Sequence, residues 1–438
     1  MGDATELVAR ISNRSAKIGV IGLGYVGLPL AVAFSEAGLQ TVGFDVDPSK
    51  VSSLNNSVSY IDDIESSRLA PLIGSSKFYA TMDASGLADA DAVFICVPTP
   101  FDKAKTPDLS YVRAAAQIIS TVLRPGVLVV LQSTTYPGTT NEVVRPILES
   151  GTGMKAGEDF FLAFSPERVD PGNKTWNVSN TPKVVGGLTS ACVEVARVLL
   201  ETIVQEPGYV VVVSTPEAAE MAKILENTYR AVNIALVNEL AILAHHMNID
   251  IWEVIDAAAS KPFGFQKFLP GIGPGGHCIP IDPHYLAWKA REFDFQTQFI
   301  EIAADVNAGM AVYVVHRIQD LLNMERKTLA GAKVLCLGAA FKPGVSDIRH
   351  SRSIRIMEIL EEKGAEVSYS DPLVPSLYLN GVELLSQDLS VKPWSNYDIV
   401  TVLVGGDAWP MAELADSSTL VFDAVNALGS KHENIHRL

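Results

Sequence analysis

Read from the start, the chain sets a short apolar run, Lys17 to Ile21, before Gly22-Leu23-Gly24-Tyr25-Val26-Gly27. Helical spacing of apolar residues then continues to about Ala37, so the pattern predicts strand, glycine turn, helix. A second strand, Thr41 to Phe44, ends on Asp45, and further strands are expected at Ala92 to Val97, Val127 to Leu131 and Phe160 to Phe164. Helical stretches separate them. Strands and helices alternating in this way imply a parallel sheet covered on both faces.

From about Pro216 the texture changes. Glu217 to Met247 carries Ala, Leu, Ile and Val at helical spacing with no Gly or Pro. That is long enough for about eight turns, and suits a spine joining two domains or a dimer interface. A Gly/Pro-rich loop, Lys261 to Pro283, interrupts the helical region, which is expected to resume from about His284 to Asn323. The opening pattern then returns. Lys333 to Gly338 resembles Lys17 to Gly22, Ala365 to Asp371-Pro372 echoes Leu39 to Asp47-Pro48, and Ile399 to Val404 echoes Ala92 to Val97. Ala339-Ala340-Phe341-Lys342 stands where the glycine fingerprint would continue. The expected fold is α/β: two Rossmann-like doubly wound domains, residues 1–212 and 326–438, joined by a long central helix and helical region, 213–325.

Composition narrows the function. At 438 residues, 48% hydrophobic and 19% charged, the chain has ample core for two or three domains. A formal net charge of −16 repels phosphate backbones and anionic lipid, so neither nucleic acid nor a membrane surface is an expected partner. Met1 to Lys17 has no apolar core of a signal peptide, and runs such as Val127 to Leu131 are too short to span a bilayer. The four cysteines, Cys96, Cys192, Cys278 and Cys336, lie far apart with no metal or disulfide spacing. A cytoplasmic protein without a metal is expected.

The glycine turn has a physical reading. Its glycines allow a tight bend and let a pyrophosphate approach the helix N-terminus, where free N–H groups favour anions. Asp45 at the end of the second strand would bond both ribose hydroxyls and repel a 2′-phosphate, favouring NAD over NADP. Cys278 sits in Gly273-Pro274-Gly275-Gly276-His277-Cys278-Ile279-Pro280-Ile281-Asp282-Pro283. Glycines leave room for substrate beside a thiol, and loop N–H groups can stabilise a thiolate. By themselves these residues leave open whether Cys278 is a nucleophile or inert. His277 reads as a residue that shapes the turn in preference to a base, and the other three cysteines as apolar packing.

Lys261-Pro262-Phe263-Gly264-Phe265-Gln266-Lys267-Phe268-Leu269-Pro270, running into Gly275-Gly276-His277-Cys278-Ile279-Pro280, resembles the UDP-glucose/UDP-N-acetylhexosamine 6-dehydrogenase family. The likeness extends from Lys17 to about Asn426 and is nearest the UDP-N-acetylglucosamine branch, whose enzymes serve polysaccharide biosynthesis. The resemblance implies that Gly22, Gly24, Tyr25, Val26, Gly27, Asp45, Lys50, Thr99 in Val97-Pro98-Thr99-Pro100, Ser133 and Thr134 bind NAD. It implies that Thr134 also helps to hold a catalytic water and that Glu167, in Ser165-Pro166-Glu167-Arg168, is the base for thioester hydrolysis. Glu167, Arg168, Lys223, Asn227, Phe265, Lys267, Phe268, Gly275, Phe341 and Lys342 are implied to bind the UDP-sugar. Asp282 is implied to position water and transfer protons, and Arg349, in Asp347-Ile348-Arg349-His350-Ser351, to stand near the NAD pyrophosphate or the active-site loop. Lys223 and Asn227 are four apart and so share a helix face.

Two departures from the family pattern stand out. Val425, in Asp423-Ala424-Val425-Asn426, replaces an arginine that reaches the uridine diphosphate, so either another cation such as Lys267 or Lys342 holds the phosphates or nucleotide affinity is weaker. His277 and Ile279 replace the Ser and Phe usual in the glucose branch. The implied chemistry is oxidation of the C6 hydroxyl to a carboxylate in two steps. Lys223, or a water held by Asp282 and Thr134, removes the hydroxyl proton; Cys278 captures the aldehyde as a thiohemiacetal; a second oxidation leaves a thioester; Glu167 activates water to release the acid. UDP-N-acetylmannosamine and UDP-glucose are the alternative substrates, and a homodimer through the central helix is expected. A single-step β-hydroxyacid dehydrogenase would need neither the thiol nor the second nucleotide domain. A non-catalytic NAD-binding protein would need none of Glu167, Lys223, Asn227 and Cys278 together.

Overall fold

A computed structural model describes residues 4–438 except 62, 103–104, 171, 174, 207, 277–278, 391–392 and 430–431. The chain divides into two compact units, 1–226 with 288–295 and 227–287 with 296–438.

The first unit is built on eight strands: β1 (Lys17–Ile21), β2 (Gln40–Phe44), β3 (Phe78–Thr81), β4 (Ala92–Ile95), β5 (Leu128–Leu131), β6 (Phe161–Phe164), β7 (Lys183–Gly187) and β8 (Val210–Val213). Their order is β3-β2-β1-β4-β5-β6-β7-β8. The first six run parallel in the doubly wound order, and the crossover between β1 and β4 makes the topological switch point at which such sheets bind ligands. Every residue of β4, β5 and β6 is buried, which is why they read as unbroken apolar runs. Strand β7 then turns back antiparallel to β6, and β8 follows β7 in parallel. Helix entries are fixed locally: the Asp47 carboxylate accepts from the Ser49 N–H ahead of Pro48–Asn55, and the Thr189 hydroxyl from the Cys192 N–H ahead of Ser190–Glu201.

Pro216–His246 is a single helix of 31 residues, as the spacing predicts. The stretch from His284 to Asn323 is helical, as expected, with one interruption. It forms two helices, Asp282–Ala290 and Gln298–Met324, separated by a 3₁₀ turn and by Asp294 in the left-handed region at φ 54°. Gln298–Met324 is the one helix among the described residues long and apolar enough to cross a membrane, yet Met310, Ala311, Val314, Val315, Ile318 and Leu322 are buried in the core of the second unit.

The second unit carries β9 (Lys333–Leu337), β10 (Glu366–Ser370), a hairpin of β11 (Ser376–Leu379) and β12 (Val382–Leu385), then β13 (Ile399–Val402), β14 (Val421–Asp423) and β15 (Ile435–Arg437). Apart from the hairpin these form one parallel sheet, β10-β9-β13-β14-β15. The hairpin turns on Asn380-Gly381, both at positive φ, the pair a two-residue turn of that hand demands. The internal repeat is real, with one change of alignment. Ser370 pairs with Leu337 as Phe44 pairs with Ile21, so Asp371 takes the place of Asp45 and not of Asp47.

Candidate active site

In the first unit the turn after β1 has three different glycines. Gly22 is at φ +89°, and a Cβ there would lie 2.6 Å from the Cys96 carbonyl oxygen; a Cβ on Gly27 would lie 1.8 Å from the Gly22 oxygen. Both are packed against backbone and tolerate no side chain. Around Gly24 nothing lies within 4 Å. The bend is therefore closed behind and open in front, at the N-terminus of Gly27–Glu36, which is the cradle a pyrophosphate requires. Asp45 is buried, its carboxylate accepting from the Leu23 N–H at 2.8 Å and the Asp47 N–H at 3.0 Å. Lys50 pairs with it at 3.3 Å, and the Tyr60 hydroxyl donates to the Leu23 carbonyl at 2.6 Å. These residues fit NAD, and Asp45 braces the glycine turn. In the second unit Asp371 accepts from Ala339 N–H and Ala340 N–H in the corresponding way.

Beyond β4 and β5 the chain continues into the other predicted cofactor residues. Thr99 is buried, and Ser133 Oγ donates to the Val97 carbonyl at 2.7 Å, tying the two loops together. Thr134 is half-buried beside it. Glu220, which the motif reading missed, secures the same loop. Its carboxyl accepts from the Gly138 and Thr140 N–H groups and from Thr140 Oγ1 at 2.6 Å, linking the loop to helix Pro216–His246 one turn before Lys223. Burial pushes the Glu220 carboxyl up to about 7 against the pull of those donors. An i−3 acid ahead of a motif lysine was the available signal.

Glu167 lies at the end of β6, 9% exposed, and is more heavily bonded than its motif suggests. Oε1 accepts from the Arg168 and Val169 N–H groups at 2.8 and 3.0 Å. Oε2 accepts from Gln132 Nε2 at 3.1 Å, and Lys183 Nζ reaches both oxygens at 3.1 and 3.2 Å. Burial alone would raise this carboxyl, but the Lys183 ammonium and the backbone donors outweigh it and hold it below the usual range. Losing one partner of such a buried pair costs about 3–5 kcal/mol. Arg168 turns its guanidinium to Glu226 at 2.7 Å and to the Pro182 carbonyl. Lys223 is only 7% exposed and makes no hydrogen bond or ion pair among the described residues.

In the second unit Asn227, one turn after Lys223, donates to the buried carboxylate of Asp282. Cys278 and His277 lie outside the described residues. The loop leading to them is held in three ways. A Cβ on Gly275 or Gly276 would come within 2.9 Å of Phe341, so both glycines let the loop lie against that side chain. Arg352 Nε donates to the Pro274 carbonyl. Buried Asn238 accepts from the Gly271 N–H and donates to Asn307, which donates on to the Ala231 carbonyl. Gly275 and Phe341 are thus brought together, by Asn238, Asn307 and Arg352 that sequence reading passed over.

The remaining predicted residues are more dispersed. Phe268 packs edge-on to Tyr229, Phe265 is exposed, and Lys267 pairs with Asp256 at 2.6 Å. Lys342 stands over the Phe341 ring at 5.6 Å, and Arg349 forks onto Asp347. Val425 lies 3.9 Å from where a Gly271 Cβ would be, beside the loop.

Three domains of one protein family match in chain order: its NAD binding domain over residues 16–204, central domain over 217–309 and UDP binding domain over 335–430. The chain belongs to the UDP-glucose/GDP-mannose dehydrogenase family. Within this family it is similar to the UDP-N-acetyl-D-glucosamine 6-dehydrogenase of Pseudomonas aeruginosa, 37% identical over 82% of this chain and 84% of that protein. It is 35% identical to the UDP-N-acetyl-D-mannosamine dehydrogenase of Pyrococcus horikoshii, over 82% and 84%. Among solved structures it is similar to the UDP-D-ManNAc dehydrogenase from Pyrococcus horikoshii, with a TM-score of 0.87 and 29% identity, covering 96% of this chain and 98% of that one. The family's NAD-binding and UDP-binding domains account for the open glycine cradle in one unit and the repeated sheet in the other.

Proposed function

We propose that this family member oxidises the C6 hydroxyl of UDP-N-acetylglucosamine to the carboxylate in two steps, working through segments 1–212 for NAD, 213–325 for the reaction and 326–438 for UDP. The observation that carries the reading is the pairing on helix Pro216–His246. There a buried Lys223 without a partner among the described residues precedes Asn227, whose amide bonds to Asp282, four residues beyond Cys278. NAD, when bound, accepts a hydride in each oxidation.

Lys223, or a water held by Asp282 and Thr134, takes the C6 hydroxyl proton, and Asn227 fixes the Asp282 carboxylate by hydrogen bonding. Cys278 adds to the aldehyde and keeps it on the enzyme, so that the second oxidation yields a thioester. Glu167 takes a proton from the water that releases the acid. Phe263-Gly264-Phe265, His277 and Ile279 support the acetamido sugar, as does the likeness to the Pseudomonas aeruginosa enzyme. The Pyrococcus horikoshii relative favours the manno epimer as the second reading. A homodimer through the central helix belongs to the same proposal.

The test is NADH formation from limiting UDP-N-acetylglucosamine, UDP-N-acetylmannosamine and UDP-glucose. Two NADH per sugar and no free aldehyde are expected. The kcat/KM for UDP-N-acetylglucosamine should exceed that for UDP-glucose by about ten- to a hundredfold, because a pocket built for the acetamido group is left with unpaired polar groups by glucose. One NADH per sugar would sink the covalent scheme.

A further inference from the structure

We propose that Lys183 is a positioning residue for the acid-releasing half of the reaction, its buried ammonium pairing with the Glu167 carboxylate and aiming it at the water it activates. This rests on the reading of Glu167 as that base. No sequence spacing connects the two; the sheet does. Extending the Ala163–Gly187 and Phe164–Gly186 register of β6 and β7 by three residues sets Glu167 opposite Lys183. Ser165 Oγ, bonded to the Val184 carbonyl at 2.8 Å, carries the pairing on between them.

Lys183 is 1% exposed, and its ammonium reaches both oxygens of Glu167. A buried ion pair is seldom retained for stability, since apolar residues of similar volume do as well or better. Here the charge has a chemical use. A carboxyl buried among β4, β5 and β6 without a cation would be a neutral acid, unable to take a proton from water. The Lys183 charge reverses that, while Gln132 and the Arg168 and Val169 N–H groups fix the carboxylate plane. Other ionisable groups around the site are the buried Cys96 thiol after β4, raised by burial and by Glu167, and Arg168, neutralised by Glu226. In the step concerned, the water oxygen bonds to the thioester carbon and one water proton passes to Glu167. The C–S bond breaks with its electrons on the Cys278 sulfur, and Glu167 returns the proton there, leaving acid and thiol.

The experiment compares Lys183→Gln, Glu167→Gln and the double variant, each mixed with UDP-N-acetylglucosamine and NAD. K183Q should slow steady-state NADH formation at pH 7 by more than about tenfold and accumulate a thioester on Cys278, read by intact mass. Its defect should shrink as the pH is raised, because a higher pH restores the carboxylate that the lysine no longer secures. On an E167Q background K183Q should add less than about twofold. A pH-independent defect, wild-type turnover, or full additivity with E167Q overturns the proposal. Turnover of E167Q without an adduct fails the reading of Glu167 as base. Non-additivity alone would then place the pair at an earlier step and overturn the assignment of Lys183 to acid release. If K183Q does not fold, E167Q/K183M, which removes both charges, takes its place. A rate equal to that of E167Q supports the proposal, and a further tenfold loss overturns it.

Discussion

Asp45 stands at the end of the strand that follows the glycine turn, and beside its expected contact with the ribose it has a structural task. Its carboxylate braces the turn through Leu23 N–H while Lys50 pairs with it. Asp45→Ala therefore removes the repulsion of a 2′-phosphate and also frees a cation next to where that phosphate would sit. The NADP to NAD ratio of kcat/KM should rise by about tenfold or more, and adding Lys50→Ala should take back part of the gain. Steady-state kinetics with both cofactors check this, and equal use of both by the wild type would remove Asp45 from the specificity argument.

At the scale of elements, helix Pro216–His246 and the loop after β5 act together because Glu220 joins them. Its folded pKa, about 7, lies above the ordinary value of 4.5, so the native state holds a proton that the unfolded chain gives up. The stability it lends is fully present below about 4.5 and is lost as the pH rises through about 7, on the order of 3 kcal/mol over the window. Glu220→Gln, which mimics the protonated acid, should flatten that part of the profile and melt higher than wild type at pH 8. Thermal melts from pH 5 to 8 measure it, and parallel profiles would contradict the reading.

For the whole molecule the same helix presents Leu225, Tyr229, Leu236, Leu240, Leu243 and the following Met247 to solvent at three- to seven-residue steps, each at least 43% exposed. An apolar stripe of this length is the surface that the proposed second copy would cover. Leu240→Glu should convert a dimer to single chains by light scattering, with each unit still folded. A wild type that is already a single chain at micromolar concentration would refute the dimer.

What the sequence determined by itself is local in its physics. A glycine turn between strand and helix, an acid at the next strand end, a helix with no breaker and a repeated strand pattern all follow from backbone geometry and hydrophobic period, so Gly22 to Gly27, Asp45, Pro216–His246 and the second sheet were legible. The resemblance supplied Glu167, Lys223, Asn227, Asp282 and Cys278. Tertiary structure decided the partners. Lys183 meets Glu167 only because β7 runs against β6, and a strand's direction leaves no trace in its own apolar pattern. Asn238 and Asn307 look like ordinary polar residues on two helices until both are buried against the loop at Gly271, where each must find a hydrogen bond. The break at Asp294 was equally hidden, since any residue that tolerates φ > 0 can end a helix without a glycine or proline to announce it.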